Sequence, residues 1–145
     1  MYLVLSDLAL LVRKDLTIDA SASILASGLQ GSWVTISGTG TAFFPNGNTI
    51  LAWPVFNESQ RDQTVGKWAP DVLNTKKVTV LVGPHFARTT VFTGSPLIGQ
   101  SLDVNSSGQL AAAAPTYTNV AYCVKAPYAY TYLGNSVTAM DIFVL

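Results

Sequence analysis

The sequence predicts an all-β fold, a small antiparallel barrel or sandwich carrying an N-terminal arm or short helix. Three observations predict it. From Gly31 onward, short apolar/polar alternations recur, each stopped by Gly, Asn, Ser or Pro. β-Branched and aromatic residues fill those alternations, as in Lys77 to Gly83 (KVTVLVG) and Tyr128 to Tyr132 (YAYTY). The stretches number about seven to nine, and that many short strands with frequent turns fit a small barrel or sandwich.

Residues 1–30 read as a separate N-terminal arm and residues 31–145 as the β domain. In the arm Leu3, Leu5, Leu8, Leu10, Leu11, Val12, Leu16 and Ile18 fit neither a helical stripe nor strict alternation. Asp7 can cap a helix from Leu8 to Lys14, its carboxylate accepting from the free amides of the first turn. An extended arm held down by a neighbouring subunit fits equally. Residues Ser21 to Ala26 (SASILA) are too small and polar to assign. On the arm reading, a chain lacking residues 1–18 still folds.

The β domain opens with alternation over Ser32 to Ile36, ended by Ser37 to Gly40. A strand from Thr41 to Phe44 runs into Pro45, and Asn46-Gly47 is a hairpin signal because both residues tolerate positive φ. The next strand, Thr49 to Trp53, meets Pro54, which cannot donate to a sheet ladder and therefore marks an edge, an end or a bulge. Asn57 to Asn74 is the longest polar stretch and holds Glu58, Arg61, Asp62, Lys67 and Asp71. Its Trp68 either pins the loop to its own domain or docks onto a partner.

Lys77 to Gly83 is the clearest strand, with Val78, Val80 and Val82 on one face. Pro84-His85 turns the chain, and Phe86 to Phe92 is expected to pair antiparallel with the preceding strand. Gln100 to Val104, a turn at Asn105 to Gly108 and a return from Gln109 form a hairpin. Asn119 to Lys125 alternates with Val120, Tyr122 and Val124 on one face. Pro127 interrupts that strand, and the Tyr128 to Tyr132 run and the Gly134-Asn135 turn lead to a closing strand, Thr138 to Leu145.

Composition narrows the function classes. Hydrophobic residues make up 49% and charged residues 11%, against a usual charged share of about 25%. Much of the surface is therefore uncharged or is covered by other chains. Lys+Arg and Asp+Glu both number 8, and no concentration of positive charge marks a nucleic-acid partner. The single Cys123 cannot form an intrachain disulfide and sits in an apolar strand as a small hydrophobe, which suggests a reducing compartment. Met1 to Val12 lacks a positive n-region, is interrupted by Asp7 and is followed by Arg13-Lys14-Asp15, unlike a signal peptide. It is also short of the roughly 20 apolar residues that span a bilayer. No membrane partner is expected.

Reactive chemistry is sparse. His85, the one histidine, lies in a turn between Pro84 and Phe86 with no second His or Cys close in sequence, and reads as an ordinary hydrogen-bonded or solvated imidazole. Pairing Glu58 with Asp62 or Asp71 as glycosidase carboxylates is the weaker reading beside a local Glu58–Arg61 ion pair or a subunit contact. No P-loop, dinucleotide fingerprint or metal-ligand spacing is present. The sequence thus predicts no catalytic residue, no cofactor, no metal and no enzyme. Tyr117, Tyr122, Tyr128, Tyr130 and Tyr132 are either a binding surface or core and barrel-end packing.

One family resemblance emerges from the C-terminal half. Val80 to Thr90 (VLVGPHFARTT), Ile98 to Ala111 (IGQSLDVNSSGQLA) and Asn119 to Tyr122 (NVAY) resemble the head decoration, or capsid cement, proteins of tailed bacteriophages. Gly31 to Val34 and the Asn57 to Asn74 loop are similar to that group as well. The shared pattern is one of turn glycines and strand spacing.

The resemblance implies a non-enzymatic virion protein, made in the host bacterial cytoplasm and bound to the capsid surface. Its partner would be the major capsid protein, and it would be a homo-oligomer, trimer or dimer. Low charge and apolar ends agree with a chain whose surface meets other chains. The expected contact residues are Leu3, Leu5, Leu8 and Leu11 of the arm and Glu58, Arg61 and Trp68 of the polar loop. Two other readings remain: a tail or adaptor component of the virion, and a small carbohydrate-binding β-sandwich using Trp53, Trp68 and tyrosines.

Overall fold

The computed structural model describes residues 1–5, 14–27, 31–45, 52–55, 75–113 and 119–145. They form an all-β protein of two curled sheets with one short helix. The Asp7-capped helix, the Asn46-Gly47 turn and the polar loop lie outside these residues.

The five-stranded sheet has the order β5-β3-β4-β2-β6. Its strands are β2 (Lys14–Ala20), β3 (Trp33–Ile36), β4 (Thr41–Phe43), β5 (Trp53–Pro54) and β6 (Lys77–Val82). β2 runs antiparallel to β6 from Lys14↔Val82 to Asp19↔Lys77, and parallel to β4 at Asp19↔Thr41 and Ala20↔Ala42. Beyond β5, Val55 bridges Val80, so the sheet curls until its two ends meet. Its interior is Val34, Ala42, Val55, Val78 and Val80, plugged by Ile24 of α1 (Ala22–Ser27). Ser21 starts that helix: its carbonyl accepts from the Leu25 amide at 3.1 Å and its hydroxyl from the Ile24 amide at 3.4 Å. The unassigned SASILA segment is therefore helical, and its signal is the serine cap.

The six-stranded sheet has the order β1-β7-β11-β10-β8-β9. It comprises β1 (Tyr2–Val4), β7 (His85–Thr89), β8 (Ser101–Val104), β9 (Leu110–Ala112), β10 (Ala121–Tyr132) and β11 (Asn135–Val144). A parallel bridge, Phe92↔Leu110, links the chain just past β7 to β9 and curls this sheet as well. Leu102, Leu110, Ala121, Cys123, Met140 and Ile142 fill its interior. The β8–β9 hairpin turns as expected: Asn105 Oδ1 accepts from the amides of Ser107 at 2.9 Å and Gln109 at 3.0 Å.

The two sheets join through residues that serve both. β6 buries Val78 and Val80 in one core and Leu81 in the other. Trp33 crosses likewise, and its amide donates to the Gly108 carbonyl at 2.8 Å. Gly108 has φ +72, and a Cβ there would stand 2.8 Å from the Trp33 carbonyl oxygen and 2.7 Å from the Phe44 ring. Only glycine fits such a seam.

Three expectations need correction. Residues 1–30 are not an arm appended to a β domain. β1 pairs with β7 from Tyr2↔Thr89 to Val4↔Ala87, and β2 is the partner of β6. Met1 and Tyr2 are buried, and the Met1 amino group, lowered by burial to a pKa of about 6, donates to Thr90 Oγ1 at 2.8 Å. Removing residues 1–18 therefore strips a strand from each sheet. Second, β7 does not pair with β6. Gly83 at φ +108 and the non-donating Pro84 carry the chain from one sheet into the other. His85 fixes that corner. Fully buried, it donates from Nδ1 to the Gly83 carbonyl at 2.8 Å and accepts at Nε2 from the Tyr2 hydroxyl at 2.6 Å. Third, β10 does not stop at Pro127 but passes it with two register shifts, between Cys123 and Lys125 and between Lys125 and Tyr128.

Candidate interaction surface

On the six-stranded sheet, alternation sends every second side chain outward. β7 turns His85, Ala87 and Thr89 in and Phe86 and Arg88 out; β11 turns Met140, Ile142 and Val144 in. On β10 the buried pair is Ala121 and Cys123, so Tyr122 and Val124 face outward. Cys123 is a buried free thiol, pushed up in pKa by burial and by the Asp141 charge.

Strand register aligns the outward residues in two rows. One row runs Leu3, Arg88, Asp141, Lys125 across β1, β7, β11 and β10. The other runs Phe86, Phe143, Tyr122, Ser101, with Leu5 at its head, since the Leu5 amide donates to the Phe86 carbonyl at 2.8 Å.

The first row is an ionic and aromatic centre. Arg88 makes a two-pronged pair with Asp141, Nε to Oδ1 at 2.7 Å and Nη2 to Oδ2 at 3.0 Å. The Tyr128 hydroxyl donates to the same Oδ1 at 3.0 Å. The Arg88 guanidinium lies 4.5 Å from the Tyr130 ring centroid, and Lys125 Nζ lies 3.9 Å from that of Tyr128. Burial pushes the Asp141 carboxyl up, but the Arg88 and Tyr128 hydrogen bonds and the charges of Arg88 and Lys125 outweigh it and leave it below the ordinary carboxylate range. The hydrogen bond to Asp141 holds Arg88 above its ordinary value. Burial first, and then Asp141, raises the Tyr128 hydroxyl. Arg88 and Asp141 neutralise each other, while the exposed Lys125, set over the Tyr128 ring, leaves the row with a net positive charge.

The second row is an apolar band. Phe86 and Phe143 stack with ring centroids 4.9 Å apart. Leu5, Phe86, Tyr122 and Val124 are each between 38% and 45% exposed. These apolar side chains are contiguous across the strand register rather than scattered, which makes the band the candidate interaction surface.

Of the expected contact residues, the structure places Leu3, half-buried, in the first row and Leu5, exposed, at the head of the second. Leu8, Leu11, Glu58, Arg61 and Trp68 lie outside the described residues, as does Tyr117. Trp53 packs against the core of the other sheet. Tyr122, Tyr128 and Tyr130 belong to the surface rather than the core. The sequence reading missed Phe86, Arg88, Lys125, Asp141 and Phe143. A lone charge on an otherwise apolar strand, as at Arg88 and Asp141, is the signal that could have found the centre of the face.

Among the described residues no three His, Cys, Asp or Glu side chains gather as a metal site, and no helix is long and apolar enough to cross a membrane. No protein-family model, curated protein or solved structure matches this chain.

Proposed function

We propose that this chain is a non-enzymatic virion structural protein that binds the outer surface of a phage capsid and stabilises it, as decoration proteins do. One observation supports this most: the outward face of the six-stranded sheet carries an apolar band beside the mutually paired Arg88 and Asp141. Covering the band's exposed side chains is favourable, and the Arg88–Asp141 pair keeps its hydrogen bonds within the face. A composition of 11% charged residues points the same way. The partner is the major capsid protein, with Leu3 and Leu5 at one margin of the contact. Neither nucleic acid nor membrane is a partner on this reading.

The test is co-sedimentation of the purified chain with empty shells. Phe86→Lys sets an unpaired charge in the band and is expected to weaken binding at least tenfold while the thermal transition stays within a few degrees. Equal binding by the variant would remove the face from the contact. No binding by the parent chain would overturn the reading.

A small carbohydrate-binding β-sandwich is the second reading, favoured by Tyr122, Tyr128 and Tyr130 on one sheet. Tyr128 and Tyr130 already have cations over their rings, so sugars would have less aromatic surface to stack on. Specific hits on a glycan array would favour it. A tail or adaptor protein would place a label on the virion's tail instead of its head.

A further inference from the structure

The β10–β11 hairpin outgrows its sheet. β8 pairs with β10 only at Ala121 and Tyr122, and β7 pairs with β11 only from Met140 to Val144. From Tyr128↔Ala139 to the tip the two strands pair with each other alone among the described residues. The result is a two-stranded ribbon whose outer edges pair with no other strand among the described residues at Ala129, Thr131, Ser136 and Thr138, all exposed. Two features set it apart from an ordinary surface hairpin. Residues 126–140 contain no Asp, Glu, Lys or Arg, so its edges lack the charges that normally prevent pairing. Its tip is the pair Leu133 and Gly134, at φ 49 and 80. A two-residue turn with both φ positive favours Asn-Gly. Here a leucine takes the strained position and holds its side chain 55% exposed.

We infer that the ribbon is a self-association element whose occupant is a second copy of this chain, the two β10 edges pairing antiparallel about a two-fold axis. Charge favours a copy as partner. A stretch laid against itself meets its own charges, and this one has none to oppose. Register favours it too. Pairing centred near Ala129 sets Thr131 opposite Pro127, which accepts but does not donate, and brings Leu133 of each copy onto the second copy's β10 at the register shift by Lys125. There the Gly99 amide donates to the Cys123 carbonyl at 2.8 Å, which holds the Leu97–Ile98 turn beside the strand. Leu97 and Ile98 are 69% and 71% exposed. The two-fold brings each exposed tip onto an exposed apolar turn, twice. This goes beyond the shell-binding reading and uses a different surface.

Sedimentation velocity from about 1 to 100 μM, spanning micromolar association, tests it. The parent chain is expected to dimerise with rising concentration, with amide-exchange protection growing at Ala129 and Thr131. Leu133→Asn suits the turn better, so its melting temperature should hold or rise while dimerisation weakens at least tenfold. Ile98→Lys, outside the ribbon, should weaken it similarly. A parent chain that is monomeric throughout, or variants that dimerise as well as the parent, would overturn the inference. Dimerisation without shell binding would sustain it and sink the shell reading.

Discussion

At the scale of single residues, the outer face is organised by one ion pair. Arg88 and Asp141 are 53 positions apart in sequence, and their side chains are 20% and 14% exposed. Hydrogen bonds to charged groups contribute about 1.5–3 kcal/mol, so Asp141→Asn is expected to cost about 2 kcal/mol in urea unfolding near neutral pH. The pH dependence has a definite sign. The Asp141 carboxyl is held below its unfolded value, so its contribution is present above the unfolded pKa and is lost as the pH falls through the folded one. The gap between parent and D141N should be constant above about pH 5 and close below pH 4. A gap that widens in acid would contradict the assignment. Sequence alone showed these two charges but not their meeting, since only strand register brings them together. The sequence left His85 either hydrogen-bonded or solvated; that it would be buried against Tyr2 was not legible.

Among the elements, what could be read depended on whether local pattern or long-range pairing decides the outcome. β6, the β8–β9 hairpin and β11 follow from alternation and from Asn, Ser and Gly at the turns, all local signals. The assignment of β6 and β7 to different sheets was not legible, because a Gly-Pro corner and a hairpin look alike when partners are unknown. The Leu-rich start hid β1 because that segment holds no clean period, and β1 gains its stability from β7. Gly108 shows how an ordinary turn glycine can carry a seam. A methyl there meets Phe44 and the Trp33 carbonyl at positive φ, so Gly108→Ala should cost about 2–4 kcal/mol, backbone strain and overpacking combined. Thermal or urea unfolding checks it. A loss below 0.5 kcal/mol, typical of an exposed turn, would mean the sheets do not meet there.

For the whole molecule, the chain is threaded through both sheets rather than built as a β domain with an appendage. β1 and β2 both precede the boundary expected near residue 30, yet each pairs with a strand beyond it, β1 in one sheet and β2 in the other. Deletion of residues 1–18 should therefore abolish the cooperative unfolding transition followed by circular dichroism. A truncated chain that still melts cooperatively would restore the arm reading. This threading also places Leu3 and Leu5 on the same face as Phe86, Tyr122 and the Arg88–Asp141 pair. The all-β class and the sparse charge were legible from the outset. The common face was not, because it draws on residues from both ends of the chain.

The most direct measurement is electron cryo-microscopy of empty phage shells incubated with the purified chain. The account predicts ordered density on the outer shell surface, with the face bearing Leu5, Phe86 and Tyr122 turned toward the major capsid protein. Bare shells at saturating protein, or bound chains holding that face to solvent, would contradict it.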